Sequence, residues 1–230
     1  MLLVAACSGG DSVVSRDVVD QIPWPETETA TYRVLNDDAK EVGTMVLTVE
    51  PGEEGETVLR QHFDFPETGF TNDAEVVVDS AELQPRSSRF QIDGPEGVLD
   101  CEATYEGSEV KVHRVGEDGA RDDTLDVPSV AHDSWSDLFV WRTITFSQGF
   151  DTAYTDMLSC VLAKPQRLEI KLDVTGSEEV EVPFGTFEAW RVEIEAGRDQ
   201  KAWFTTDDAH ILVRYDNGEQ VFELTDYEAE

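Results

Sequence analysis

The sequence predicts an all-β, mainly antiparallel fold, a curved meander sheet forming a barrel or half-barrel with one short helix around residues 134–143. Three observations predict it. From Ala30 onward apolar and polar residues alternate with period two; turn-forming residues separate these runs at short intervals; and a single segment carries a helical period.

Tyr32 and Val34 open the alternation, and Asn36-Asp37-Asp38 turns the chain. Met45, Leu47 and Val49 then alternate with Thr44, Val46 and Thr48. Pro51 to Gly55 turns it again into Val58 to Phe63, which makes a three-stranded meander. Further strands are expected over 74–79, 88–92, 98–105 and 109–115, and Gly116 to Asp123 reads as a polar loop. Ser134-Trp135-Ser136-Asp137 has the form of a capping box, with Trp135, Leu138, Phe139 and Arg142 at helical spacing, so a helix should lay an aromatic face on the sheet.

The last third is the most regular. Leu168, Ile170, Leu172 and Val174 alternate with Glu169, Lys171 and Asp173 before a turn at Thr175-Gly176-Ser177. Val180 to Val182 follows, then a turn at Pro183 to Thr186 and a strand through Trp190, Val192 and Ile194. Lys201–Thr205, His210–Tyr215 and Gln220–Thr225 bring the expected strands of this third to six, with Asn217-Gly218 as a type I′ hairpin signal. A meander with one wet face must bury the other, by curling on itself or by packing on a second sheet.

The net charge is -33, with 50 acidic residues against 17 basic ones, spread along the whole chain. Such a surface repels phosphate backbones, which excludes nucleic acid as a partner, and it repels anionic lipid headgroups. Membrane attachment must then be covalent or through partner proteins. The covalent route is visible at the start: Val4-Ala5-Ala6-Cys7, followed by Ser8-Gly9-Gly10, resembles a bacterial lipobox. In that class of signal the cysteine thiol is acylated and the chain is cut just before it. A full signal carries a basic segment and more apolar residues ahead of the box, and a start codon upstream of Met1 would supply them. The expected organisation is a signal remnant over 1–7, a flexible tether over 8–29, and a single β-domain over 30–227. Trp24, between Pro23 and Pro25, is placed to dock on the domain's edge. No other segment approaches the roughly 18 apolar residues needed to cross a bilayer, so acyl chains on Cys7 are the expected anchor, on the outer face of the cell membrane or on a periplasmic-side membrane.

With Cys7 acylated, Cys101 and Cys160 remain as an even pair in an oxidising compartment. A disulfide between them and two buried thiols are both open. The histidines His62, His113, His132 and His210 make no metal-ligand spacing, and the chain has no Cys-x-x-Cys, nucleophile elbow, phosphate loop or dinucleotide fingerprint, so no metal and no cofactor is expected. His132-Asp133-Ser134 reads as a helix cap, not as a triad. Asp207-Asp208-Ala209-His210 reads as a hairpin turn in preference to a cation site. Trp135, Phe139, Trp141, Trp190 and Trp203 are either core or the lining of a ligand cavity.

The run Glu179-Val180-Glu181-Val182-Pro183-Phe184-Gly185-Thr186-Phe187-Glu188-Ala189-Trp190-Arg191-Val192 resembles a motif of the DUF3108 family of exported proteins. There a strand ends in Pro-x-Gly-Thr-Phe and the next begins. Ala202-Trp203-Phe204-Thr205, Leu212-Val213-Arg214-Tyr215, the early Tyr32-Arg33-Val34 with Gly43-Thr44, and Trp141-Arg142 fit the same scheme, over about residues 30 to 227. The resemblance implies an exported, mostly β protein with no established activity. Three functions then compete: a non-catalytic binding or carrier domain for an apolar ligand or an envelope partner, an envelope component without a pocket, and a hydrolase built on carboxylates. An internal carboxylate pair in a cleft would favour the third, and a filled barrel the second.

Overall fold

The computed structural model describes residues 18–230 apart from Glu96 and Leu162; Cys7 and the first part of the expected tether lie outside the described residues. Two meanders build the sheet. The first comprises β1 (Glu28–Leu35), β2 (Glu41–Pro51), β3 (Glu56–Phe65), β4 (Phe70–Asp79), β5 (Pro85–Gly94), β6 (Gly97–Glu106), β7 (Glu109–Gly116) and β8 (Gly119–Asp126). The second comprises the two-residue β9 (His132–Asp133), β10 (Asp151–Leu158), β11 (Gln166–Val182), β12 (Gly185–Glu195), β13 (Asp199–Thr205), β14 (Leu212–Asp216) and β15 (Val221–Ala229). Between β9 and β10 the chain makes a 3₁₀ turn over Ser134–Ser136, the helix α1 over Asp137–Val140, and a second 3₁₀ turn over Trp141–Thr143.

The strand order runs from β8 down to β1, then from β15 down to β9. The two chain ends therefore meet in mid-sheet, where β1 pairs antiparallel with β15 from Glu28↔Ala229 to Leu35↔Val221. The short pairing of β9 with β10, Asp156↔His132 and Met157↔Asp133, is parallel. The sheet is curved and open, and the 134–143 segment lies in its hollow, its first turn, Ser134–Ser136, packed on β3 and β4 from one side and β10 from the other.

Alternation decides which residues meet inside. In β1, Glu28, Ala30, Tyr32 and Val34 are buried and their neighbours are not. Met45, Leu47 and Val49 of β2, Leu59 of β3, Val76 and Val78 of β4, and Ile170, Leu172 and Val174 of β11 join them around Leu138–Trp141. A second, smaller core gathers Ala74, Phe90, Cys101, Ala103, Val110 and Val112 with Met157 and Cys160. Cys101 and Cys160 are disulfide-bonded, with their Cα atoms 5.8 Å apart, so the bond fastens β6 to the chain just beyond β10.

Several elements depart from the sequence expectation. Most of the loop expected over 116–123 is strand: Gly119–Asp126 form β8, whose charged side chains suit an exposed edge strand paired on one side only. The turn expected at 175–177 is a bulge inside one 17-residue strand, β11, where Gly176 takes φ 150° and the register slips between Val174 and Gly176. The last third thus holds five strands, not six. At Asn217-Gly218 the hairpin forms, but with a four-residue loop: only Gly218 has positive φ, and Asn217 Oδ1 accepts the amides of Glu219 and Gln220. The helix occupies the expected range, yet it is buried on all sides from Ser136 to Thr143 instead of laying one face on the sheet. Asp133, not Ser134, caps it by accepting the Trp135 amide.

Residues 18–27 are packed, not free. Val18 is buried, the amides of Asp20 and Gln21 donate to the Thr143 carbonyl, and Trp24 meets Phe139 edge-on at 6.3 Å.

Candidate functional site

The inner helix ends in two polar clusters of opposite kind. At its C-terminal end Arg142 is 3% exposed and forms a two-pronged ion pair with Glu28, Nη1 to Oε1 and Nη2 to Oε2. Its Nε donates to the His210 carbonyl and its Nη2 to the Ala209 carbonyl, both at 2.9 Å. Tyr227 donates to Glu28 at 2.8 Å, and the Trp24 ring lies 5.4 Å from the guanidinium. This end joins β1, β15, the 207–210 turn and the N-terminal segment, and both charges are satisfied.

The N-terminal end holds three buried carboxyl groups: Asp133 at the cap, Asp137 in the first turn of α1 and Asp156 on β10. Asp133 Oδ2 accepts hydrogen bonds from Ser88 Oγ (2.8 Å), Tyr105 OH (2.5 Å) and Ser159 Oγ (2.6 Å), while Oδ1 takes the Trp135 amide. Asp137 accepts from Tyr154 OH at 2.6 Å, and that hydroxyl in turn accepts from Trp141 Nε1 at 2.8 Å. Asp156 is 1% exposed; among the described residues no side chain donates to either of its oxygens, and the backbone amide of Met157 is the group that favours its charged form. Among the described residues no Lys or Arg pairs with any of the three. Burial raises the Asp133 carboxyl above its usual range against the pull of its donors. Burial also holds Asp137 well above that range. For Asp156, burial acts first, and the neighbouring Asp137 and Asp133 push it further up.

Beside this acid end the hollow opens into a cleft of about 740 Å³, to which Asp137 and Asp156 contribute. One wall is a continuous run of aromatic contacts. Phe70 meets Phe65 at 5.9 Å, Phe65 meets Phe63 at 6.5 Å, and Phe63 meets Phe222 at 6.1 Å. Phe222 stacks on Tyr215 at 5.4 Å, and Tyr215 meets Trp141 at 5.8 Å. All six rings line the cleft. Inward residues of strands repeat every second position, which is why Phe63 and Phe65 of β3 share this wall. Gly43 of β2 makes room for it: a Cβ there would lie 2.4 Å from the Asp64 carbonyl oxygen and 2.8 Å from the Phe65 ring. Asn72 Oδ1, Ser134 Oγ and Trp135 Nε1 also belong to cleft residues and are buried without a hydrogen-bond partner among the described residues.

A larger hollow of about 1040 Å³ lies between loops at the ends of β5 to β8, walled in part by Gly94, Gly97, Gly116 and Gly119. Of its lining atoms only Arg114 Nη2 is buried and unpaired, so convergent polar groups mark the aromatic cleft as the site.

Among the aromatic residues singled out in the sequence, Trp135 and Trp141 lie on the cleft. Phe139 faces away, against Trp24. Trp190 is half-buried against the main core. Trp203 sits opposite in parity to the inward Ala202 and Phe204; its Nε1 donates to Glu178 at 2.6 Å, and Arg214 covers its ring at 5.4 Å. The phenylalanines and the two acids were missed. Phe63-x-Phe65 with Phe70 carried a same-face signal, whereas Asp137 and Asp156 were two carboxylates among 50 acidic residues. Among the described residues no three His, Cys, Asp or Glu side chains are placed to hold a metal ion, and no helix is long and apolar enough to cross a membrane.

The family model of DUF3108, a protein family of unknown function, matches residues 29–225. The chain belongs to this family. The aligned range takes in both meanders, the inner helix and the cleft. Among solved structures, the β-barrel-like DUF1849 protein from Brucella abortus is similar at 13% identity with a TM-score of 0.56, over 90% of this chain and 99% of that one. A DUF1089 family protein from Pseudomonas aeruginosa aligns at 12% identity with a TM-score of 0.44, over 77% of this chain and 91% of that one. The first of these likenesses shows a shared β-barrel-like fold. No curated protein matches the sequence.

Proposed function

We propose that this DUF3108 protein is an exported lipoprotein, tethered to a membrane surface through acyl chains on Cys7, whose half-barrel binds an apolar ligand without catalysis. The observation that carries the reading is the cleft: an open, aromatic-walled hollow inside the sheet, with unpaired polar groups beside the acid end. A purely structural envelope component has no use for such a hollow, and a filled half-barrel would bury these rings against one another at lower cost. The exposed Val161 stands on the cleft's lining and gives an apolar entry point. The lipobox-like Val4-Ala5-Ala6-Cys7 supports the tether, and the acidic surface favours a covalent anchor over direct lipid contact. Native mass spectrometry of the Cys7→Ser chain is the test. Recovery with a bound apolar molecule supports the reading, and repeated recovery as clean unliganded protein overturns it.

A carboxylate-based hydrolase is the second reading, favoured by Asp137 and Asp156 on one cleft. It asks two acids to share a reacting bond, yet Asp137 is engaged by the Tyr154–Trp141 chain and only Asp156 lacks a side-chain donor. Turnover of ester or glycoside substrates that is lost in Asp156→Asn would establish it; inertness of the wild-type chain would remove it.

A further inference from the structure

Among the described residues no Lys or Arg side chain pairs with the acid end. Arg142 is fully taken by Glu28 and by backbone carbonyls. Arg198, on the turn between β12 and β13 at the cleft, pairs with Glu219 at 2.8 Å. The groups that face Asp156 are acids and phenols: Asp133 from β9, Asp137 from the helix, Tyr105 from β6 and Tyr154 from its own strand, with His132 across the β9 pairing. Asp156 and Leu158 share one face of β10, and both line the cleft. A buried carboxylate with no side-chain donor or basic partner is costly, so a cation placed beside Asp156 would stabilise its charged form.

We propose that the cleft selects an apolar ligand carrying a protonated amine head, with Asp156 as its counterion and the aromatic wall from Phe70 to Trp141 holding its tail. This rests on the apolar-ligand reading above and names the ligand class. An ammonium brings the charge that the acid end lacks and N–H donors for the Asp156 oxygens and Asn72 Oδ1. Tyr215 and Trp141, both on the cleft lining, add ring faces, which attract cations. A fatty carboxylate meets the opposite situation, a cluster of acids with no Lys or Arg paired to it among the described residues, and is disfavoured. Pairing with an ammonium favours the ionised form of Asp156, which burial and the neighbouring acids disfavour, so binding should send its proton to solvent. No bond to the ligand is made or broken.

The test uses the Cys7→Ser chain and three matched probes below their micellar concentrations: dodecylamine, dodecanol and dodecanoate. Calorimetry in two buffers of different ionisation enthalpy reads affinity and proton release together. The expected result is dodecylamine binding about tenfold or more tighter than dodecanol, dodecanoate weakest, and close to one proton released per amine bound. Surface carboxylates, already ionised at neutral pH, release none, so the proton separates the cleft from nonspecific attraction to a chain of net charge -33. In Asp156→Asn, amine affinity should fall to the level of the alcohol, while alcohol affinity stays as it was and reports an intact cleft. Equal binding of amine and alcohol by the wild type, amine binding without proton release, or an amine preference that survives Asp156→Asn each overturns the amine head and leaves the apolar-ligand reading standing. Failure of all three probes to bind overturns both. If Asp156→Asn does not fold, the wild-type affinity order and proton release decide alone.

Discussion

The two ends of the inner helix are built from the same kind of material, ionisable side chains shielded from water, and they end in opposite states. At Arg142 every charge has a partner: Glu28, two carbonyls, Tyr227 and the Trp24 ring. At Asp156 no side chain donates and no base pairs among the described residues. Burial costs are met in the first case by hydrogen bonds, and in the second burial pushes the carboxyl toward its neutral form. The difference teaches where this fold is closed and where it is left open. The cationic end ties four parts of the chain together, and the acid end faces a cleft.

The comparison can be broken first at its strong side. Arg142→Ala leaves Glu28 buried without its partner and should cost about 3–5 kcal/mol in urea denaturation. A loss below about 1 kcal/mol would mean that the closed end is not what holds the sheet's two meanders together. The disulfide comes next, because it fixes the strand that bears Asp156. Cys101→Ser with Cys160→Ser should lower stability by about 2–4 kcal/mol, read by the same denaturation. The loss should be accompanied by faster hydrogen exchange in β10 than in β1.

Smaller effects separate the two ends by pH. Asp137 and Asp156 have native values raised above the ordinary carboxylate range, so the native state keeps protons that the unfolded chain gives up. Their stabilising contribution is therefore full below the ordinary carboxylate pKa and is lost as pH rises through the raised native values. Wild-type stability should decline over that interval. Asp156→Asn should flatten the decline, matching wild type at the acid side and exceeding it by about 1 kcal/mol at the alkaline side. An unchanged slope would show that Asp156 does not titrate in this range. The smallest effect is expected from Ala196→Trp, on the cleft lining in the turn between β12 and β13. Its stability should stay within about 1 kcal/mol of wild type while the cleft is filled.

Much of the fold was legible because alternation and turns are local. Met45-Leu47-Val49 and Leu168-Ile170-Leu172-Val174 read as strands and are strands. The 134–143 range of the helical segment was legible too, since its period changes from two to that of a helix. Its surroundings were not: burial on all sides comes from the curl of the sheet, which no local pattern encodes. β8 was hidden because an edge strand with one partner has little apolar alternation. The bulge at Gly176 read as a turn because glycine with positive φ serves both. A small part of the cleft was visible as Trp135 and Trp141. The acids were not, because what distinguishes Asp156 from an exposed Asp such as Asp118 is burial and the lack of side-chain donors, both set by tertiary structure.

The central claim is that the acid end opens onto a cleft that binds apolar molecules. Its most direct test is a fluorescence titration of the Cys7→Ser chain with Nile red, a neutral apolar dye, run in parallel with the same chain bearing Ala196→Trp. The account predicts saturable, blue-shifted emission at one dye per wild-type chain and its loss in Ala196→Trp, with both proteins equally folded. Absence of saturable binding to the wild type, or equal binding by the two proteins, would contradict it.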